Sequence, residues 1–112
     1  RYANAGHPHA FRIGPDTAER LEALNPPLGI AEFDHYEERE VSWRRGSDTL
    51  LMFTDGLSET IRSDRLWSDD LLVDAIRRNA DAAACDIVDG LFEIASAAGT
   101  IPVDDRTALV LK

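Results

Sequence analysis

The stretch Thr49-Leu50-Leu51-Met52-Phe53 is a continuous apolar run of strand length, and it stops abruptly at Thr54-Asp55-Gly56. Such a run suits a strand buried on both faces, because a strand with one wet face alternates apolar and polar residues. The run therefore asks for cover on both sides, and the rest of the chain is read for what supplies it.

Ahead of this run the sequence is strand-like. Tyr2 to Ala5 and Ala10 to Ile13 are short candidate strands around Gly6-His7-Pro8, and Gly14-Pro15-Asp16 is a turn signal. Asn25-Pro26-Pro27-Leu28-Gly29 reads as irregular, since each proline removes a backbone donor. Tyr36 to Trp43 mixes charges with Val41 and Trp43 and reads as an exposed strand, after which Arg45-Gly46-Ser47-Asp48 turns the chain. Behind the run the sequence is helical. One helix is expected from Ser68, with Asp69 and Asp70 in its first turn and Arg77 and Arg78 near its end, each sign favoured by the helix dipole. Leu72, Ala75, Ile76 and Ala80 would share its apolar face. A second helix is expected from about Ala83 to Ala98, where Ala84, Ile87, Val88, Leu91, Phe92, Ala95 and Ala98 keep helical spacing and Gly99 is a stop signal. Thr107 to Leu111 reads as a final strand. A strand that returns after the helices needs a place in the existing sheet, so the class is α+β with helices layered on one face.

The 112 residues suit a single domain with no linker or repeat, and 44% hydrophobic content is enough for a packed core. The net charge is −9, with 21 acidic residues against 12 Lys and Arg, which argues against nucleic acid as a partner. Arg44-Arg45 and Arg77-Arg78 read as solvated surface pairs. Cys85 is the single cysteine, so no intrachain disulfide can form. No apolar run reaches the ~20 residues that span a bilayer. A cytoplasmic protein without a membrane partner is expected. The chain opens at Arg1, and it is expected to lack a signal peptide and to be a piece of something longer.

Two acidic positions stand out. Asp55 follows the apolar strand directly, with Gly56 to let the backbone turn, and Asp104-Asp105 precede the final strand. If those strands lie side by side, the carboxylates converge at one edge. They would repel one another unless a hard divalent cation, which prefers oxygen ligands, sat between them. An Asp after a strand is also a common turn or cap residue, and spacing alone leaves both readings open.

Four segments resemble one family. Tyr2-Ala3-Asn4-Ala5-Gly6-His7-Pro8 resembles the "ANAGHP" segment of the SpoIIE-type branch of metal-dependent (PPM, type 2C-like) bacterial serine/threonine protein phosphatases. Pro27-Leu28-Gly29 resembles its "PLG", Leu50 to Glu59 its "LLLYTDGVTE", and Asp104 to Leu111 its "DDRTLLVL", in the family's order. The resemblance implies a β-sandwich flanked by helices, a four-layer α-β-β-α fold of which residues 1–112 would be the C-terminal part. It implies Mg²⁺ or Mn²⁺, two per complete site, and an activated water that removes phosphate from phosphoserine or phosphothreonine. Asp55 and Asp104 match metal ligands, Gly56 and Asp105 are assigned to the same metal site beside them, and Glu59 matches a position that can serve a further metal. His7 is a candidate contact for substrate phosphate. The usual substrate in this branch is a phosphorylated anti-anti-sigma factor.

The family's N-terminal "D-x-x-G-H-G" motif is absent here, since no Asp precedes Gly6 at the needed distance. The isolated chain is therefore expected to hold an incomplete centre, to be inactive by itself, and to expose sheet edges through which it could self-associate. The alternative reading is a catalytically inactive phosphatase-like module that docks a partner or transmits a signal. Among the remaining residues, Trp43, Trp67 and Cys85 are expected to be buried packing residues. His9 and His35 are expected at the surface without visible partners.

Overall fold

Side chains alternate across a strand, so the register of pairing decides which residues face the helices. The computed structural model describes residues 1–30, 32, 35–61, 68–97 and 104–112. Its elements run β1 (Ala10–Ile13), β2 (Ala18–Arg20), β3 (Thr49–Phe53), α1 (Asp55–Thr60), α2 (Ser68–Arg78), α3 (Ala84–Ala97) and β4 (Ala108–Leu111). The strands form one four-stranded sheet in the order β2-β1-β3-β4, and each neighbouring pair is antiparallel. The mixed architecture expected from the sequence is the one observed.

Phe11 is opposite Leu51, and Leu51 is opposite Val110, so a row of apolar side chains crosses three strands on one face. Ile13 and Phe53 belong to the same buried cluster, with Ala108 packed against it. The helices close over this face. Leu57 of α1, Leu72, Val73, Ala75 and Ile76 of α2, and Ile87, Leu91 and Ala95 of α3 complete the core. Ile87, Leu91 and Ala95 are four residues apart, the interval that stacks side chains along one helix face. Burial of a side chain such as Leu51 or Leu91 contributes roughly 1.5–3 kcal/mol.

The other face carries Arg12, Leu50, Met52, Leu109 and Leu111 by the same alternation. Leu50 and Met52 are half-buried, while Leu109 and Leu111 are 50% and 56% exposed. The apolar run of β3 is thus fully covered on its helix side alone among the described residues, where the sequence suggested burial on both.

At the start of β3, Asp48 is buried with its side chain fully enclosed. Its carboxylate accepts hydrogen bonds from the Arg44 backbone N–H (2.8 Å), Arg44 Nε (3.3 Å) and Arg12 Nη1 (3.1 Å). Gly46, at φ 81°, lets the intervening turn close. This charged knot fixes the end of β3 remote from Asp55.

Several expectations fail for identifiable reasons. Tyr36 to Trp43 forms no strand; the consecutive charges at Glu37, Glu38, Arg39 and Glu40 give it no face to bury, and Arg39 makes a single bridge to Tyr2. Tyr2 to Ala5 is likewise reduced to isolated bridges, Tyr2 with Arg39 and Ala5 with Asn25. Trp43 is 41% exposed and Cys85 is exposed at the start of α3, so neither is a core residue. His9 is not a lone surface residue: its ring stacks on Phe53 at 4.8 Å between centroids, and Nδ1 lies 3.8 Å from Asp69. His35 is exposed as expected. Trp67, Ala98 and Gly99 lie outside the described residues. No helix among the described residues is long and apolar enough to cross a membrane.

Candidate metal centre

β3 ends at Phe53 and α1 begins at Asp55, so Thr54 is the hinge between them and occupies the cap position of the helix. A threonine hydroxyl there ordinarily accepts a hydrogen bond from the free N–H groups of the first turn. Thr54 makes no such bond. Its Oγ1 instead donates to the Asp105 carbonyl (3.0 Å) and accepts from the Thr107 N–H (3.0 Å). The Thr54 N–H donates to the Thr107 carbonyl at 3.1 Å, which extends the β3–β4 ladder by one step beyond the Phe53–Ala108 pair.

Gly56, on the other side of Asp55, is pressed onto the same segment. A Cβ at Gly56 would lie 2.5 Å from the Asp105 carbonyl oxygen and 3.0 Å from that of Asp104. Gly56 has no positive φ, so its role is close approach and not the sharp turn suggested by the sequence. Asp55 is therefore bracketed by two residues that touch the Asp104–Asp105 segment. The segments that carry these acids lie far apart in the chain and touch at one end of β3 and β4.

The side chains are open to solvent. Asp55, Glu59, Asp104 and Asp105 are all exposed. Asp55 Oδ1 accepts from the Gly56 N–H (3.0 Å), and Asp104 Oδ1 from the Asp105 N–H (2.7 Å). Each turns one oxygen to its own backbone and leaves the other uncommitted among the described residues. Glu59 stands four residues after Asp55 on α1, on the same side of the helix, and makes no ion pair among the described residues.

His7 lies in the loop before β1. Asn4 organises that loop: its Nδ2 donates to the His7 carbonyl (2.7 Å) and the Leu21 carbonyl (2.8 Å), and its Oδ1 accepts from the His7 N–H (2.8 Å). His7 Nε2 is buried with no hydrogen-bond partner among the described residues. No hydrogen bond or ion pair joins His7 to the acidic segments there.

The donor chemistry fits a hard divalent cation, because Asp55, Asp104 and Asp105 offer carboxylate oxygens that make no ion pair among the described residues. The number falls short of a closed site: among the described residues no group of three or more His, Cys, Asp or Glu side chains can hold a metal ion.

The family model of stage II sporulation protein E (SpoIIE) matches residues 1–112. The chain belongs to the SpoIIE family. Its fold matches the PP2C phosphatase domain in a solved structure of that domain with a fragment of the regulatory domain of the cell fate determinant SpoIIE from Bacillus subtilis. That match has a TM-score of 0.73 and 24% sequence identity over 96% of this chain. The chain spans 32% of the length of that structure's chain. No curated protein matches the sequence. Membership in SpoIIE agrees with the PPM-type family that the four sequence segments implied.

Reading the sequence missed Thr54. It stood inside a matched motif and was given no role. The signal was available in its position: a hydroxyl at a strand end, next to an acid, can reach a neighbouring strand instead of its own helix.

Proposed function

We propose that this chain supplies the C-terminal part of a metal-dependent protein phosphatase that removes phosphate from phosphoserine or phosphothreonine of a regulatory protein. One observation supports the reading: Thr54 and Gly56, the residues on either side of Asp55, both touch the Asp104–Asp105 segment. Asp55 and Asp104 would hold Mg²⁺ or Mn²⁺, with Gly56 and Asp105 forming the close backbone contact beside them and Glu59 facing outward on α1. Such cations, when bound, offset phosphate charge and make water a better nucleophile. The residues of this chain then have electrostatic and positioning tasks, and no side chain need be a nucleophile. His7 is the proposed contact for the substrate phosphate, on the strength of the sequence resemblance. The chain's own acids do not complete the centre, so the activity belongs to the full-length protein. A phosphorylated anti-anti-sigma-type protein is the proposed substrate, and the cytoplasm the proposed site of action.

The test is Mn²⁺-dependent phosphate release from such a phosphoprotein by the full-length protein and its Asp55→Asn variant. The expected loss is about 100-fold or more, the scale on which groups that stabilise transition-state charge act. Equal rates would remove Asp55 from the mechanism and favour the docking-module reading.

A further inference from the structure

We propose that Thr54 is a positioning residue for the metal centre: its hydroxyl sets the separation of the Asp55 and Asp104 carboxylates without touching cation or substrate. The inference rests on the metal-centre reading above and adds to it a residue with no ligand role.

The hydroxyl donates and accepts across the gap. Its proton goes to the Asp105 carbonyl, and its oxygen accepts the Thr107 N–H. None of its bonding goes to α1, although Thr54 stands where a hydroxyl would ordinarily cap that helix. Asp104 and Asp105 are exposed, so no burial holds their segment in place. Apart from the bond of Thr54 N–H to the Thr107 carbonyl, the hydroxyl is the tie between the two acidic segments that the described residues show. It draws Asp105 onto Gly56, whose missing side chain leaves room for the two carbonyls. Asp55 follows Thr54 directly and Asp104 precedes Asp105, so both carboxylates hang from the bonded pair by one residue each. A shift at this bond moves one acid relative to the other.

Valine keeps the shape of threonine and loses the hydroxyl, while serine keeps the hydroxyl and loses the methyl. Mn²⁺ binding to the full-length protein is to be measured by electron paramagnetic resonance of free Mn²⁺, beside thermal unfolding in chelator. Thr54→Val should weaken Mn²⁺ binding about 10-fold or more, the usual cost of removing a group that orients a metal ligand. Thr54→Ser should bind Mn²⁺ close to wild type. The Mn²⁺ concentration for half-maximal phosphate release should rise in Thr54→Val, with turnover largely recovered at saturating Mn²⁺. If Thr54→Val does not fold, Thr54→Ala carries the same comparison with Thr54→Ser. Two results would overturn the inference while leaving the metal centre standing: wild-type Mn²⁺ affinity in Thr54→Val when Asp55→Asn has lost it, or equal impairment of Thr54→Ser and Thr54→Val. Unchanged Mn²⁺ binding in Asp55→Asn would instead overturn the metal centre, and the role of Thr54 with it.

Discussion

Arg12 Nη1 lies 3.1 Å from Asp48 Oδ2, joining β1 to the residue that precedes β3. The same guanidinium reaches the Ser42 carbonyl through Nη1 (2.6 Å) and Glu19 through Nη2 (3.2 Å). Burial of Asp48 raises its pKa, but the Arg44 N–H and charge and the Arg12 charge and hydrogen bond outweigh burial and hold it below the ordinary 3.8. The unfolded chain therefore binds a proton at Asp48 more readily than the folded one. The stabilisation from this carboxylate is fully present above its unfolded pKa of about 4 and is lost as pH falls through the lower folded value. Asp48→Asn should flatten the acid side of the stability profile, as read by urea unfolding between pH 7 and pH 3. Asp48→Ala should cost about 3 kcal/mol at neutral pH, because it takes the buried counter-charge from Arg12 and leaves only the half-exposed Glu19. A profile parallel to wild type in Asp48→Asn would show that other carboxylates govern the acid limb.

Two helical glycines should respond in opposite directions to the same substitution. Alanine is favoured over glycine inside a helix by about 1 kcal/mol. At Gly90 nothing lies within 4 Å of a new Cβ, so Gly90→Ala should gain about that amount. At Gly56 the new Cβ meets two backbone carbonyls, which cannot swing away as a side chain can. Overpacking of this kind costs about 1–3 kcal/mol and exceeds the helix preference. Gly56→Ala should therefore unfold earlier than wild type and Gly90→Ala later in paired thermal melts. A stabilised Gly56→Ala would mean that the Asp104–Asp105 segment does not rest on Gly56.

Asn4→Ala should release the loop that carries His7. The Asn4 side chain serves the His7 N–H, the His7 carbonyl and the Leu21 carbonyl, and it is 8% exposed. Stranding buried backbone groups costs about 1–3 kcal/mol for each one that water cannot reach. A loss of about 2 kcal/mol is expected. Amide exchange at His7 should accelerate far more than at Leu51 in the sheet. Unchanged protection of the His7 amide would sink this account of the loop.

Much of the architecture could be read from residues whose neighbours in sequence are also their neighbours in space. Ala10 to Ile13 and Thr49 to Phe53 have the expected bounds, and α3 buries Ile87, Leu91 and Ala95 from the expected face. α1 escaped notice because six residues that open with Thr-Asp-Gly punctuation leave no room for a helical period. β2 escaped because all three of its residues are exposed; it is a strand since β1 offers it an edge, and composition carries no trace of that. Cys85 was misjudged for a related reason. Its residue type favours burial, yet at position 85 the helix turns it away from the face that Ile87 and Leu91 bury. The positions of Asp55 and Asp104 were readable as candidates. The contact that joins their segments was not, because it depends on one hydroxyl choosing a distant strand over its own helix.

The pairing of β3 with β4 closes a long loop that contains α1, α2 and α3. Contacts so remote in sequence are entropically expensive to bring together and form late in folding. During synthesis, Asp55 leaves the ribosome well before Asp104, and its partner segment arrives only with the closing strand. The juxtaposition of the two acidic segments thus depends on β4, so a nascent chain that has not yet reached residue 104 carries Asp55 without its partner segment.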